Sequence, residues 1–286
     1  MALTGGNAAA QKLSSLADPV RRITQLPGDT IAVVAIDVAT GDRLEIGADI
    51  RFHAASTMKV PVLIELARRV DRGQLGWDDS LQVINEFTSI VDHSPFALDP
   101  ADDSDSTVYQ LVGRKAPVRY LAERMIERSS NLATNLLIAV LDPAAVNRTA
   151  HLLGADSIAV LRGVEDQKAY DHGLSNTTTA RDLAELLLAI EQGKAASPES
   201  TREMLRILSA QEFNDGIPAG LPPGTRVAHK TGEITGIAHD AGIIYPAGHT
   251  PIVLVVLTRG FEERAQAMRV ASEVARLIYE GFVLGR

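Results

Sequence analysis

The 286-residue chain has no cysteine, no long apolar run and a minority of basic residues. The lack of cysteine excludes disulfides, thiolate metal sites and a cysteine nucleophile, and it fits a reducing or an oxidising compartment equally well. No stretch approaches the ~20 apolar residues of a membrane helix. Lys and Arg total 28 against 36 Asp and Glu, a formal net charge of −8. We therefore expect neither nucleic acid nor a membrane as a partner.

Signals for secretion, metal binding and one common hydrolase fold are also missing. Residues 1–15 lack the basic start and apolar run of a secretory signal, so we expect a cytoplasmic protein as written, or a periplasmic or secreted one if a leader has been removed. The histidines form no H-x-x-x-H pair, and we expect no metal and no cofactor. The acidic run that contains Asp99, Asp102, Asp103 and Asp105 lacks calcium-loop spacing and predicts a solvated loop. No G-x-S-x-G is present, which argues against an ordinary α/β-hydrolase.

The patterns that are present follow one another in a clear order. Residues 9–26 are typical of a helix, and 30–40 with the following RLEIGAD predict a β-hairpin. From 56 to 208 apolar residues recur at helical spacing. Strand patterns return in TRVAHKTG, HDAGIIYP and PIVLVVLTRG, and an amphipathic helix closes the chain.

This order predicts an α+β fold (two-lobed α/β) in a single domain, 1–286. The first two strands and the last three would form one five-stranded antiparallel sheet, flanked by the N- and C-terminal helices. Residues 1–55 and 209–286 would make an α/β lobe, and 56–208 an all-helical lobe. A cleft between the lobes is the expected place for a small-molecule site.

Ser56 and Lys59 form the only S-x-x-K sequence in the chain, where the strands give way to the first long helix. At this spacing the two side chains share a helical face. A serine hydroxyl needs a base to become a nucleophile. Lys59 would be that base if its pKa fell from ~10.4 towards neutrality. An exposed serine near an unrelated lysine is the plainer alternative.

Two further short sequences fit the same chemistry. In Ser129-Ser130-Asn131, Ser129 would relay a proton to the leaving group and Asn131 would hold a substrate carbonyl; a simple helix cap is the alternative. In Lys230-Thr231-Gly232, the strand edge would bind an extended substrate, Lys230 would supply a positive charge, and Gly232 would allow close backbone approach. A strand ending in a turn is the alternative there.

The three sequences occur in the order that is the signature of class A β-lactamases and penicillin-binding proteins. The chain resembles these serine hydrolases along nearly its whole length, notably at 129–138, 176–187 and 229–246. The resemblance implies that Ser56 attacks a β-lactam or related acyl donor, with the backbone N–H groups of Ser56 and Glu233 as the oxyanion hole. It also implies that Lys230 binds the substrate carboxylate. A small molecule is thus the expected partner, and we expect a monomer.

Several positions depart from the family pattern. The resemblance assigns Glu165 as the base for deacylation, but Ala169 replaces the Asn expected four residues on, and Asp166 is an alternative base. Ser130 stands where class A enzymes usually have Asp. Glu233 stands where the family prefers a small residue, and its charge would oppose an anionic substrate unless it points outward.

The strand after Lys-Thr-Gly has no Arg, and His239 lies closest to that position as a substrate contact. These departures leave three functions open. The first is a β-lactamase. The second is a D-alanyl-D-alanine peptidase or small-ester hydrolase of the same fold. The third is a penicillin-binding sensor that is acylated without turnover.

Overall fold

The computed structural model describes residues 13–285, and residues 9–12 of the first predicted helix lie outside this range. The described chain forms the helices α1 Ala17–Thr24, α2 Lys59–Asp71, α3 Val118–Glu127, α4 Asn131–Leu141, α5 Pro143–Leu152, α6 Gln167–Asp171, α7 Ala180–Glu191, α8 Pro198–Ser209 and α9 Arg264–Ile278. Its strands are β1 Thr30–Asp37, β2 Arg43–Ile46, β3 Phe52–His53, β4 Ser80–Gln82, β5 Phe87–Thr88, β6 Pro95–Phe96, β7 Lys115–Pro117, β8 Thr177–Thr178, β9 Arg226–Ile234, β10 Ile237–Tyr245 and β11 Ile252–Arg259.

The predicted five-stranded antiparallel sheet is confirmed. Its order is β2-β1-β11-β10-β9, and each neighbouring pair is antiparallel. The central pairing joins the two ends of the chain, because β1 pairs with β11 from Thr30 opposite Arg259 to Asp37 opposite Ile252. Strand β9 forms one edge, so alternate backbone N–H and C=O groups along it face away from β10.

Successive residues of β1 enter two different cores, as the period of a strand requires. Val33 and Ala35 pack in the core beneath α1 and α9, whereas Val34 and Ile36 pack in the core shared with the helical segment. Both faces of the sheet are therefore covered, and β1 and β11 are apolar along residues 31–36 and 252–257. The expectation that the terminal helices flank the sheet is confirmed for the described residues.

Helix α2 lies at the centre of the helical segment and begins beside the sheet edge. A short 3₁₀ turn, Ala55–Met58, leads directly into it. Every residue from Lys59 to Ala67 is buried, because α2 packs against α4, α5 and α8, and the turn that precedes it packs against β9 and β10. Ser56 is thus carried on a rigid element at the junction of sheet and helices.

The lobe boundaries near residues 56 and 209 stay a prediction. Between residues 13 and 285 no helix combines the length and apolar character that crossing a bilayer requires.

Candidate active site

A cleft opens where β9, the start of α2 and the loop before α6 meet. Two adjoining cavities make up the cleft, and Ser56, Asn131, Glu165 and Glu233 line both. One, here called the Tyr170 cavity, has a volume of about 370 Å³ and is also lined by His53, Tyr170 and Ile234. The other, the Arg264 cavity, has a volume of about 620 Å³ and is also lined by Ser129, Gly232 and Arg264. Both volumes suit a small molecule.

Seven of the ten predicted site residues line the cleft directly: Ser56, Ser129, Asn131, Glu165, Thr231, Gly232 and Glu233. Lys59 and Lys230 are fully buried beneath it. His239 lines neither cavity. The three short sequences, which are far apart in the chain, therefore meet at one place.

Gly232 lies against the backbone of the Ser56 turn. A Cβ added at Gly232 would be only 2.9 Å from the backbone nitrogens of both Ser56 and Thr57, closer than real Cβ atoms approach. Only glycine fits this contact without displacing backbone. This close contact brings the edge of β9 next to the Ser56 N–H, and the role of Gly232 beside a bound substrate stays a prediction.

Lys59 is the centre of the polar network. Its Nζ donates to the Ser129 carbonyl oxygen at 2.5 Å, to Ser129 Oγ at 3.1 Å and to Asn131 Oδ1 at 3.0 Å. Burial lowers the pKa of Lys59 to about 7, against the opposing effect of the Asp103 and Glu165 carboxylates. Within residues 13–285 no hydrogen bond joins Lys59 to Ser56 Oγ. Lys59, with its pKa of about 7, thus lies three residues after the predicted nucleophile without a hydrogen bond to it.

The Ser129-Ser130-Asn131 sequence combines both interpretations of its pattern. Ser130 caps α4, because its side chain accepts from the Ala133 N–H at 3.3 Å, and it is fully buried. Its neighbours Ser129 and Asn131 face the cleft on either side of the cap. The predicted cap is confirmed, and the cap fixes the two flanking side chains in the site.

Glu165 lies in a loop, 161–166, that two buried asparagines hold in place. Asn135 on α4 donates to the Val164 carbonyl at 3.0 Å and accepts from the Val164 N–H at 2.7 Å. Asn176 accepts from the Leu161 N–H at 2.8 Å and donates to the Arg162 carbonyl at 3.0 Å. These bonds pair backbone groups that the loop leaves free.

The Glu165 carboxylate faces the cleft and accepts from Asn131 Nδ2 at 3.0 Å. Partial burial raises the pKa of Glu165, and the Asp102 and Asp103 carboxylates raise it further. Asp166 also lines the Tyr170 cavity, but both of its carboxylate oxygens are engaged: one caps α6 through the Ala169 N–H at 3.1 Å, and the other accepts from the Ile90 N–H at 2.9 Å. Of the two candidate bases, the geometry favours Glu165.

Thr231 lines the Arg264 cavity, and Lys230 is fully buried behind it. Lys230 Nζ donates to the Thr231 carbonyl oxygen at 2.9 Å. Burial holds the pKa of Lys230 well below its usual value, and the charge of Lys59 lowers it further. Lys59 is therefore close enough to disfavour a positive charge on Lys230.

Glu233 is drawn away from the oxyanion position by an arginine. Its carboxylate accepts from Arg264 Nε at the start of α9. The same guanidinium binds Asp215, with Nη2 at 3.0 Å from Oδ1. The predicted conflict between Glu233 and an anionic substrate is thus partly relieved by an ion pair.

Backbone strain is concentrated around these side chains. Five non-glycine residues within 13–285 have positive φ angles, and three of them belong to the site: Ala55 at 46°, Ser129 at 59° and Glu165 at 62°. Such conformations cost of order 1 to 3 kcal/mol each and persist where the surroundings impose them. Together they aim the Ser56, Ser129 and Glu165 side chains into one cleft.

Comparison with known proteins agrees with this geometry. The sequence model of the β-lactamase enzyme family matches residues 12–282. The chain belongs to this family. It is 27% identical over 274 residues to a β-lactamase of Streptomyces albus G, covering 93% of this chain and 85% of that protein.

Two solved structures show that the fold is shared as well. An ancestral class A β-lactamase superposes on this β-lactamase-family chain with a TM-score of 0.80 and 29% identity, covering 93% of this chain and all of the other. A PBP-A variant, solved as an acyl-enzyme complex with penicillin G, gives a TM-score of 0.80 and 28% identity over 96% and 98% of the two chains. The resemblance inferred from the sequence is confirmed.

One expectation for this β-lactamase-family chain is wrong. His239 is fully buried and does not line the cleft. Its Nδ1 accepts from the Thr258 N–H at 3.1 Å, so its Nε2 carries the proton and donates to the His53 carbonyl at 2.9 Å. Burial lowers the pKa of His239 to about 4. It positions the chain three residues before Ser56 and does not contact substrate.

The acidic run is also not merely a solvated loop. Asp103 accepts from the N–H groups of Asn131 and Leu132, at 2.9 and 3.0 Å, at the start of α4. A carboxylate there is favoured by the helix dipole. Asp103 thereby helps to set the position of Asn131, and Asp102 beside it lines the Arg264 cavity.

Arg264 is one of the site residues that sequence reasoning missed. It lies 32 residues after Gly232 in a helix of unremarkable amphipathic pattern. Only the packing of α9 at the end of β9 reveals that its guanidinium reaches the cleft.

Proposed function

We propose that the protein is a serine hydrolase that opens the β-lactam ring through an acyl-enzyme on Ser56. The observation that carries this proposal is the single cleft in which Ser56 meets a buried lysine of lowered pKa, a second serine and a carboxylate on a separate loop. Structural relatives at 28–29% identity include a class A β-lactamase and a PBP-A acyl-enzyme with penicillin G.

Acylation follows from the position of the groups around Ser56. The neutral Lys59 amine accepts the Ser56 proton as Oγ attacks the lactam carbonyl, which requires Nζ to exchange a contact with Ser129 for one with Ser56. Negative charge on the carbonyl oxygen is met by the N–H groups of Ser56 and Glu233. The carbon–nitrogen bond then breaks, and Ser129 Oγ gives its proton to the nitrogen and recovers one from Lys59.

Release of the acyl group from Ser56 requires a water molecule and a base that activates this water. Glu165 accepts a proton from that water, and the hydroxide adds to the ester carbonyl. The Ser56 oxygen then leaves as the proton held by Glu165 is returned to it, which restores both groups. A carboxylate is a better base when burial raises its pKa, as it does for Glu165. The family resemblance assigns the substrate carboxylate to Lys230 and Thr231; of these two, Thr231 reaches the Arg264 cavity, and Lys230 is buried behind it.

A second function, hydrolysis of small neutral esters, is favoured by the acidic lining of the Arg264 cavity. Five carboxylate side chains line that cavity, which suits a substrate that carries no carboxylate of its own. A D-alanyl-D-alanine peptide has the same acylation chemistry, but its terminal carboxylate gains nothing from this lining. The acylation machinery is the same in both functions, and only the rates of acylation and release differ.

The deciding experiment follows the intact mass of the protein after addition of benzylpenicillin, with substrate loss measured in parallel. A transient adduct with many turnovers is expected, and Ser56→Ala should abolish both. A stable adduct without turnover would move the function to the peptidase, the esterase or a penicillin-binding sensor. Turnover retained by Ser56→Ala would refute the assignment.

A further inference from the structure

Charge in the Arg264 cavity is strongly unbalanced. Five carboxylate residues line it: Asp102, Glu165, Glu212, Asp215 and Glu233. Arg264 is the one cationic residue among the residues that line it, and both Asp215 and Glu233 hold its guanidinium. Arg128 binds Glu212 from outside the cavity at 2.8 Å. Asp102 has no such ion pair among the described residues, so the cavity keeps an excess of negative charge.

Ser129 decides which end of a substrate enters this cavity. It lines the Arg264 cavity and not the Tyr170 cavity. In the proposed reaction Ser129 protonates the leaving atom, so the leaving group must point into the Arg264 cavity and the acyl side chain into the Tyr170 cavity. Any charge carried by the leaving group is therefore placed among these carboxylates.

We propose that Glu233 is a specificity-determining residue: by occupying Arg264 it makes the site favour acyl donors whose leaving group is neutral over those whose leaving group is anionic. The inference rests on the proposed Ser56 acylation. The proposal also names a substrate class: esters and amides with a neutral leaving group. The Ser56 chemistry alone does not distinguish these substrates from anionic β-lactams.

The physical reason is a competition for one guanidinium. An anionic leaving group must either displace Glu233 from Arg264 or lie beside an already neutralised pair. Removing the charge of Glu233 leaves Arg264 with one carboxylate partner and frees donors for the substrate. Because Glu233 and Arg264 are both partly exposed, solvent screens the effect, and we expect a change of about fivefold.

The experiment compares two esters that differ by one charge on the leaving group, phenyl phenylacetate and 3-carboxyphenyl phenylacetate. The quantity measured is the ratio of kcat/KM for the anionic ester to that for the neutral ester. We expect Glu233→Gln to raise the ratio about fivefold at low salt. Arg264→Gln should lower it below the wild-type value, because it leaves Glu233 and Asp215 unpaired.

Glu263→Gln is the matched control. It removes one negative charge next to Arg264, but Glu263 is exposed and lines neither cavity. A ratio that rises equally in Glu263→Gln and Glu233→Gln would overturn the inference, as would an unchanged ratio in Glu233→Gln when the esters still acylate Ser56. Absence of a Ser56 adduct with either ester and with benzylpenicillin would overturn the proposed function and the inference with it.

Discussion

Lys59 and Glu165 are connected through a single amide. Asn131 Oδ1 accepts from Lys59 Nζ and Asn131 Nδ2 donates to Glu165, each at 3.0 Å. The group proposed for acylation and the group proposed for deacylation therefore share one orienting side chain. Asn131 in turn is fixed by the Asp103 carboxylate and by the start of α4.

Asn131→Asp tests this connection. A carboxylate at this position favours the ammonium form of Lys59 and repels Glu165. We expect the pH at which acylation reaches half its maximum to rise, while the folded structure keeps its cap on Ser130. The measurement is the pH dependence of adduct formation with benzylpenicillin, with Asn131→Ala as the uncharged comparison. An unshifted profile in Asn131→Asp would contradict the connection.

The pH dependence of acylation itself follows from Lys59. With its pKa at about 7, the amine is a charged acid below that pH and a neutral base above it. The acylation rate should therefore rise as pH increases through about 7 and then level off. Lys59→Arg stays charged at all these pH values and should be slow and independent of pH. Acylation at full rate at pH 5 would refute this role.

Substitutions of Glu165 and Asp166 should have different effects, one on release of the adduct and the other on stability. Glu165→Gln removes the base and should accumulate the Ser56 adduct while leaving the melting temperature nearly unchanged. Asp166→Ala removes the α6 cap and the contact with the Ile90 N–H, so it should cost about 1 to 2 kcal/mol of unfolding free energy. Rapid release of the adduct by Glu165→Gln would mean that another group activates the water.

Gly232→Ala should disrupt the oxyanion hole. The new Cβ would meet the backbone nitrogens of Ser56 and Thr57 at 2.9 Å, and backbone atoms cannot move aside as the end of a flexible side chain can. Displacing one oxyanion donor typically costs ~10²-fold or more in rate. The acylation rate of folded protein, checked by circular dichroism, measures this. A folded Gly232→Ala variant with wild-type acylation would show that β9 does not supply a donor.

The lowered pKa of His239 predicts that the folded protein loses stability in mild acid. Its pKa is about 4 in the folded protein and about 6.5 in the unfolded chain, so the unfolded chain takes up a proton first as pH falls. Stability from this group is complete above pH 6.5 and decreases between 6.5 and about 4, by about 3 kcal/mol in total. Denaturant unfolding at pH 7 and pH 5 should show a smaller difference in His239→Gln than in the wild type.

Most of the fold was predictable because its signals are local. The order of strand and helix patterns along the sequence predicted the sheet. The short sequences that contain Ser56, Lys59 and Gly232 indicated these residues as site candidates. The environment of Glu233 and His239 was not predictable, since it depends on side chains that pack from α9 and β11. Asp103 was misjudged for the same reason: a carboxylate in an acidic run gives no local sign that a helix start lies next to it.

Because β1 pairs with β11, a chain cut into two fragments would have to reassemble before the central strand pair of the sheet could form. A cut at the exposed Gly193-Lys194 turn between α7 and α8 would place Ser56, Lys59 and β1 on one fragment, and Lys230, Gly232 and β11 on the other. Neither fragment would contain the central strand pair or both proposed oxyanion donors. Reassembly of the two pieces and completion of the active site are then the same event. A fluorescent penicillin would mark Ser56 only where the fragments, fused to two other proteins, had been brought together.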